Sequence, residues 1–180
     1  MPLLNSVTTP YAEAFLQVAN DLNQTDEIVS QVKDIIVLIK ESPELETALS
    51  SPILEKDSKK TLIIKLFSEK INSSLLNLLK LLADRQRIGI LIPILERFLE
   101  LYRESSNIAL ATVTSAVELT EEQKDLITQK ISAIAGTEKL ELVTKIDSSL
   151  IGGFVASVGS KVIDASLSSQ IRKLGLSLSK

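Results

Sequence analysis

The sequence predicts an α+β fold, with an N-terminal six-helix bundle over residues 1–104 and a small C-terminal α+β domain over residues 105–180. In the first part, apolar residues recur at helical spacing, most clearly over residues 28–39. From Ser105 the chain becomes rich in Val, Ile, Thr and Ala without a helical stripe, which indicates a strand. Apolar residues make up 44% of the chain and aromatic residues only 3%, so the predicted core is aliphatic.

Local signals predict where the first three helices begin and end. Thr9 is a candidate cap for the first helix, with Pro10 at the first helical position, where proline is favoured. The apolar stripe over residues 28–39 predicts the second helix. Ser42 and Pro43 predict the start of a short third helix that ends near residue 51.

Three further helices complete the predicted bundle. Asp57 and Asn72 are candidate caps for the fourth and fifth helices, because their side chains can accept hydrogen bonds from unpaired backbone amides. Gly89 separates the leucine-rich fifth helix from a sixth over residues 91–102. Short connections between short helices are typical of a compact bundle.

The second part alternates strands and helices. A strand is predicted within residues 107–118, and Thr120 and Gln123 then form a capping box that begins a helix ending near Gly136. Residues 140–146 alternate apolar and polar side chains, which predicts a half-buried strand with Leu140, Leu142, Thr144 and Ile146 on one face.

A hairpin and a helix end the predicted C-terminal domain. Gly159 and Ser160 separate two short strands and suit a type II′ turn, since glycine tolerates positive φ. Asp164 is the predicted cap of a last helix, whose apolar face carries Leu167, Ile171, Leu174 and Leu178.

The composition argues against catalysis and nucleic-acid binding. The chain has no His and no Cys, which removes the commonest general base, thiol nucleophiles and the usual zinc ligands. The net charge is −3 and no basic stripe is present, so nucleic acid is not an expected partner. The longest charge-free stretches, 105–117 and 148–160, are shorter than the roughly 20 residues of a spanning helix, so direct membrane insertion is not expected.

Two motifs admit a chemical interpretation, but turn geometry explains them better. The order Gly159-Ser160-Lys161 lies within a predicted hairpin, whereas a phosphate loop needs Gly-Lys-Ser/Thr at the start of a helix. Asp147 and Asp164 could form an acid/base pair, but no nucleophile or oxyanion donor accompanies them. We interpret Asp147 as the start of a turn through residues 148–149.

Basic residues in the first part have a simple structural interpretation. Lys56, Lys59 and Lys60 are expected in a solvated first turn of the fourth helix. Arg85 and Arg87 follow the fifth helix, where cations complement the helix dipole, and a partner contact there is the alternative.

The fifth helix has more apolar residues than one buried face requires. Such an excess indicates either a central buried helix or a groove for an amphipathic helix of a partner, and the residues leave both open. The predicted groove combines apolar residues of the first and fifth helices, namely Tyr11, Ala14, Phe15, Val18, Leu75, Leu79 and Leu82.

The order of segments resembles the delta subunit family of the rotary ATP synthase, the relatives of the mitochondrial oligomycin-sensitivity-conferring protein. Lys145–Phe154 and Gly159–Leu167 are the most specific matches. Pro10–Phe15, Leu81–Arg87 and Ala109–Ala116 are similar to the family's first-helix, fifth-helix and domain-joining segments. The resemblance covers essentially the whole chain.

The resemblance is closest to the cyanobacterial and plastid branch, notably at Leu101–Glu104 and Asn107–Leu110. It implies a non-catalytic stator subunit, one copy per complex and without a cofactor, on the cytoplasmic or stromal side of the thylakoid membrane. The helical domain would bind the N-terminal helices of alpha subunits, and the second domain would bind the C-terminal ends of b-type peripheral-stalk subunits. Rotation would then be coupled to ATP synthesis because the head is held still.

Two alternatives to this function remain at the level of sequence. The helical part alone is compatible with an adaptor or regulatory module of another multiprotein assembly. An enzyme is the third hypothesis, and the absence of His and Cys disfavours it.

Overall fold

The computed structural model of the chain describes residues 2–51, 54–136 and 139–178. Contacts between Cα atoms divide the chain into two compact units, Met1–Tyr102 and Arg103–Lys180. The first unit is helical and the second carries a mixed four-stranded sheet, which confirms the predicted α+β class.

Six α-helices precede the first strand in the part of the chain that the structure describes. A single 3₁₀ turn at Ile88–Ile90 leads into the last of them. The helices are α1 (Pro2–Asp21), α2 (Thr25–Glu41), α3 (Pro43–Ser50), α4 (Lys56–Phe67), α5 (Ser73–Asp84) and α6 (Leu91–Ser105). Their shared core is mainly aliphatic, and it includes an aromatic pair, Phe15 and Phe98, whose ring centroids are 5.0 Å apart.

The structure corrects the predicted start of α1. Pro10 lies inside the helix rather than at its first position. A proline there removes one backbone hydrogen bond. The helix nevertheless continues through Pro10, which is exposed, and Thr8 in the preceding turn is buried at 1% exposure.

The start of α4 also differs from the prediction. Glu55, not Asp57, occupies the cap position, and no side chain makes a capping hydrogen bond there. Asp57 lies in the first turn, where a carboxylate still complements the helix dipole. Lys59 is buried at 8% exposure rather than solvated, because it faces the core one turn before Ile63. Lys60 pairs with Asp84, with 2.8 Å between Nζ and Oδ2.

The described residues of the second unit form a four-stranded sheet and two α-helices. Its elements are β1 (Ala109–Ser115), α7 (Glu121–Ala135), β2 (Leu140–Ile146), β3 (Phe154–Val158), β4 (Lys161–Asp164) and α8 (Leu167–Leu178). The strand order is β2-β1-β3-β4. β1 and β2 are parallel because α7 forms the crossover between them, and the other pairs are antiparallel.

One face of this sheet packs on α7. Ala111 and Val113 of β1 and Ala156 of β3 contact Ile127 and Ile131 of α7 in a small core. The predicted half-buried face of β2 is present only at its start. Leu140 and Leu142 pack against the core, whereas Thr144 and Ile146 are exposed, because β2 is an edge strand.

The predicted caps and turns at 72, 120–123, 136 and 159 are confirmed. Asn72 caps α5 by accepting a hydrogen bond from the Ser74 amide at 2.9 Å. The capping box of α7 has both of its hydrogen bonds, and Gly136 ends that helix with φ of 72°. Gly159 has φ of 56° and Ser160 does not have positive φ, as a type II′ turn requires.

The predicted cap of α8 is wrong by two residues. Asp164 ends β4, and the Ser166 hydroxyl accepts a hydrogen bond from the Ser169 amide at the start of α8. Asp164 instead accepts hydrogen bonds from the amide and hydroxyl of Ser166, so it supports the capping residue. On α8, Leu167 and Ile171 are exposed, and the side chains of Leu174 and Leu178 lie outside the described residues.

A candidate helix-binding groove

An open groove of about 290 Å³ lies between α1 and α5. Each helix contributes four residues at the spacing i, i+3, i+4 and i+7, which places them on one helical face. The lining residues are Tyr11, Ala14, Phe15 and Val18 of α1, and Ser74, Asn77, Leu78 and Leu81 of α5. Each helix therefore presents one face, made of four residues, to the groove.

The floor of the groove is apolar and its walls are accessible. Phe15 is buried at 5% exposure and packs on Phe98, so its ring is held in place by the core. Val18 and Leu81 are each 44% exposed, and Ala14 is exposed as well. Small and branched side chains of this kind allow close approach of a helix that brings its own apolar residues.

Arg87 is held beside one of the groove residues. Its guanidinium donates a hydrogen bond of 2.9 Å to the Tyr11 hydroxyl, and it also lies 5.8 Å from the centroid of the Tyr11 ring. Both contacts fix the orientation of the Tyr11 ring. Arg87 thus has a specific partner within the first unit, beyond the helix-end role predicted for it.

The structure brings together only part of the predicted groove. All four predicted residues of α1 line it, but Leu75, Leu79 and Leu82 have 0% exposure and belong to the core. The groove face of α5 is instead formed by Ser74, Asn77, Leu78 and Leu81. The two polar residues Ser74 and Asn77, which interrupt the leucines, are the sequence signal that marks the face turned away from the core.

The segment after β2 is a hydrogen-bonded turn. Asp147 accepts a hydrogen bond from the Ser149 amide at 3.0 Å and begins the 3₁₀ turn Ser148–Leu150, which confirms the structural interpretation of this aspartate. The Ser149 hydroxyl, and to a lesser extent the Ser149 amide, donate hydrogen bonds to Asp147. These bonds stabilise the carboxylate and therefore hold the pKa of Asp147 below its ordinary value.

Gly153 lies where the turn meets the start of α8. It has φ of 76°, and a Cβ there would lie 2.3 Å from the carbonyl oxygen of Ala165. Glycine is thus required by both conformation and space. The described residues contain no group of three acidic side chains that could hold a metal ion, and no helix among them is long and apolar enough to cross a membrane.

Comparison with known proteins decides the family. The family model described as ATP synthase delta (OSCP) subunit matches residues 7–178. The chain belongs to this family. It is therefore a peripheral-stalk component of the F-type ATP synthase and a structural subunit rather than a catalytic one, which confirms the resemblance found in the sequence.

Full-length relatives support the same assignment. The ATP synthase subunit delta of Prochlorococcus marinus strain MIT 9215 is 81% identical over 180 residues, which cover 100% of both chains. That of strain NATL2A is 59% identical and covers 100% of this chain and 99% of the relative. A chain in the structure of the Toxoplasma gondii mitochondrial ATP synthase hexamer has a TM-score of 0.72 at 19% identity, covering 96% of this chain and 97% of that one. At that identity, the last match supports the fold alone.

Proposed function

We propose that the chain joins the catalytic head of the ATP synthase to its stalk. In this proposal the first unit binds the N-terminal helices of alpha subunits, and the second unit binds the C-terminal ends of b-type subunits. The chain is present in one copy per complex and is held at the membrane through its partners, on the cytoplasmic or stromal side of the thylakoid membrane. Rotation of the rotor is then coupled to ATP synthesis because the head cannot turn with it.

The groove between α1 and α5 is the observation that carries this proposal. Its apolar residues lie on one face of each of two helices, and an apolar groove of this kind can bind the apolar face of an amphipathic helix. The binding residues in this proposal are the groove residues Tyr11, Ala14, Phe15 and Val18, together with their neighbours on α5. Leu75, Leu79 and Leu82 support the groove from the core.

The division of the chain supports two separate binding tasks. The boundary between the compact units, at residues 102 and 103, lies close to the boundary of domains 1–104 and 105–180 that the sequence predicts. We propose that residues 1–104 form an autonomous six-helix bundle. A partner bound to one domain would then leave the surface of the other available.

Ala14→Asp tests the groove directly. A bound helix would cover Ala14, so the new carboxylate would lose its water without gaining a partner. We expect binding of an alpha N-terminal peptide to weaken by about 2–4 kcal/mol, or roughly thirty- to a thousandfold in Kd. Isothermal titration calorimetry measures this change, and circular dichroism checks that the helices are retained.

Gln17→Asp is the matched control. Gln17 is an exposed residue of α1 that does not line the groove, so the same charge there should leave peptide affinity within about threefold of wild type. If Ala14→Asp folds and binds like wild type, or if both variants lose affinity equally, the groove is not the binding site.

A further inference from the structure

Two hydrogen bonds fix how the helices of the groove run. Arg87 lies three residues after the end of α5 and donates a hydrogen bond of 2.9 Å to the Tyr11 hydroxyl. The side-chain amide of Asn72, the cap of α5, donates one of 3.0 Å to Gln24, three residues after the end of α1. The two helices are therefore antiparallel. We call the two ends of the groove the Arg87 end and the Asp21 end, since Asp21 is the last residue of α1.

Charge is absent along the groove and present beyond its ends. All eight lining residues are uncharged. Asp21 is exposed and follows Ala14 by seven residues, or about two turns, so both lie on the same side of α1. The first twelve residues of the chain carry no charged side chain, so nothing on this part of α1 offsets Arg87.

Positive charge predominates at the Arg87 end. Arg85 and Arg87 flank the turn that follows α5, and both are exposed. The acidic residue beside them in the chain, Asp84, pairs with Lys60, with 2.8 Å between Oδ2 and Nζ. The two arginines are therefore not neutralised by Asp84.

Negative charge predominates at the Asp21 end. Glu69 and Lys70, which precede α5, have opposite charges and offset each other. Asp26 and Glu27 lie in the first turn of α2, which follows α1 after a short turn, and add to the charge of Asp21. The two ends of the groove thus differ in the sign of their charge.

The backbone of Arg87 is attached to the core end of α5. Gln86 has φ of 55°, and its amide donates to the Ala83 carbonyl at 3.0 Å. The Arg87 amide donates to the carbonyl of Leu82, a fully buried residue, at 2.8 Å. This pair of hydrogen bonds around a left-handed residue is a Schellman motif. Arg87 is therefore held at both its backbone and its guanidinium, which Tyr11 orients.

The Arg87 end offers hydrogen-bond donors to a partner. A guanidinium has five N–H groups, and one of them bonds to Tyr11. Because the Tyr11 hydroxyl accepts that bond, it can donate its own hydrogen to a partner. The last four carbonyl groups of a helix have no partner within the helix and carry a partial negative charge. Donors and positive charge at this end match those carbonyl groups.

We propose that the charges at the two ends fix the direction of the bound alpha-subunit helix, with its C-terminal end at Arg87 and its N-terminal end at Asp21. The inference rests on the proposed function, which supplies the helix. It adds the direction of the helix, antiparallel to α1, and assigns Arg87 as the residue that positions its last turn. Tyr11 and Asp21 are about 15 Å apart along α1, so a helix of roughly ten residues reaches both ends.

Cross-linking measures the direction. The chain has no cysteine, so one introduced thiol marks one end of the groove. Val7 precedes Tyr11 by four residues and Leu22 follows Val18 by four, so both continue the groove face of α1, and they are 37% and 51% exposed. Full-length Val7→Cys and Leu22→Cys are oxidised with alpha N-terminal peptides that carry one cysteine at either end. Val7→Cys should react about tenfold faster with the C-terminal cysteine, and Leu22→Cys about tenfold faster with the N-terminal one.

Charge variants test the cause of the direction. Arg87→Gln and Asp21→Asn should each raise the Kd of the peptide about two- to fivefold and reduce its dependence on salt. Arg87→Lys keeps the charge and should bind more tightly than Arg87→Gln. Lys65→Gln removes an exposed cation of α4 that does not line the groove, and should leave Kd within about twofold. Asp21→Lys combined with Arg87→Glu should reverse the pattern of cross-links, with circular dichroism as the check that each variant folds.

The outcomes distinguish this proposal from the function on which it rests. If the peptide binds but cross-links in the opposite direction, or without preference, the proposed direction is wrong and the binding function stands. If reversing both charges leaves the pattern unchanged, Arg87 and Asp21 do not set the direction. If the peptide binds without reacting at either cysteine, the groove is not its site. If the wild-type chain does not bind the peptide, the proposed function fails and this proposal fails with it.

Discussion

Gly153→Ala should destabilise the second unit far more than the same change at Gly136. Both glycines have positive φ of nearly the same size, 76° at Gly153 and 72° at Gly136. A Cβ at Gly136 would have no heavy atom within 4 Å, whereas at Gly153 it would meet the Ala165 carbonyl oxygen at 2.3 Å and the Ser166 Cα at 3.1 Å. Both variants therefore carry the cost of positive φ, and only Gly153→Ala adds a steric clash with the backbone.

The magnitudes follow from these contacts. An alanine in the left-handed region costs about 1 kcal/mol relative to glycine, which is the full expected effect of Gly136→Ala. At Gly153 the displaced atoms are backbone, and forcing them apart adds about 1–3 kcal/mol. The total for Gly153→Ala is then about 2–4 kcal/mol.

Thermal unfolding followed by circular dichroism measures the difference. For a unit of this size, each kcal/mol lowers the midpoint by about 4–8 °C, so Gly153→Ala should lower the transition of the second unit by roughly 10–30 °C. Gly136→Ala should lower it by about 4–8 °C. Binding of an alpha N-terminal peptide should survive in both variants, because the groove belongs to the first unit.

Equal shifts for the two variants would refute the packing argument. A second experiment, with ATP, tests the structural interpretation of the turn as a whole. If millimolar ATP raises the melting temperature of the wild-type chain, and Gly153→Ala abolishes that rise while the protein remains folded, the turn binds phosphate.

Two further predictions concern domain autonomy and pH. Residues 1–104 expressed alone should give the circular dichroism spectrum of a folded helical monomer, and a random-coil or strand spectrum would contradict the division into two domains. Asp147 has a pKa depressed below its ordinary value of 3.8, so its stabilising contribution is present above that pH and is lost as the pH falls through the lower value of the folded state. Asp147→Asn should therefore unfold with a weaker dependence on pH below about 4 than wild type, and an unchanged acid profile would contradict this assignment.

Local signals were sufficient to predict most helix ends and turns. Asn72, Thr120 and Gly136 act through hydrogen bonds or conformations that involve only their near neighbours in sequence, so their roles are visible in the residue types alone. Asp164 shows the limit of this approach. Both Asp164 and Ser166 are good capping residues, and the length of β4 decides which of them begins α8.

Features that depend on packing could not be predicted in the same way. The residue pattern does not reveal that α1 continues through Pro10, because proline is favoured at the first helical position and disfavoured inside a helix. Similarly, the leucines of α5 nearly encircle the helix, so hydrophobicity alone does not distinguish the core face from the groove face. The four predicted residues of α1 do line the groove, although α1 also carries apolar core residues such as Ala12 and Ala19.

The strain at Ile151 had no signal in the sequence. Isoleucine before two glycines suggests an ordinary turn, since it is the glycines that are expected to take positive φ. In the structure, Ile151 itself takes φ of 65° while its side chain points into solvent. The residue types around Ile151 reveal neither of these two properties.

Simultaneous binding is the most direct test of the central claim that the chain links head and stalk. Analytical ultracentrifugation of the full-length chain, mixed with an alpha N-terminal peptide and the water-soluble part of the b-type subunits, determines which species form. The account predicts a single complex that contains one copy of the chain and both partners, with each partner binding equally well in the presence of the other. Mutually exclusive binding, or failure of either partner to bind the chain, would contradict it.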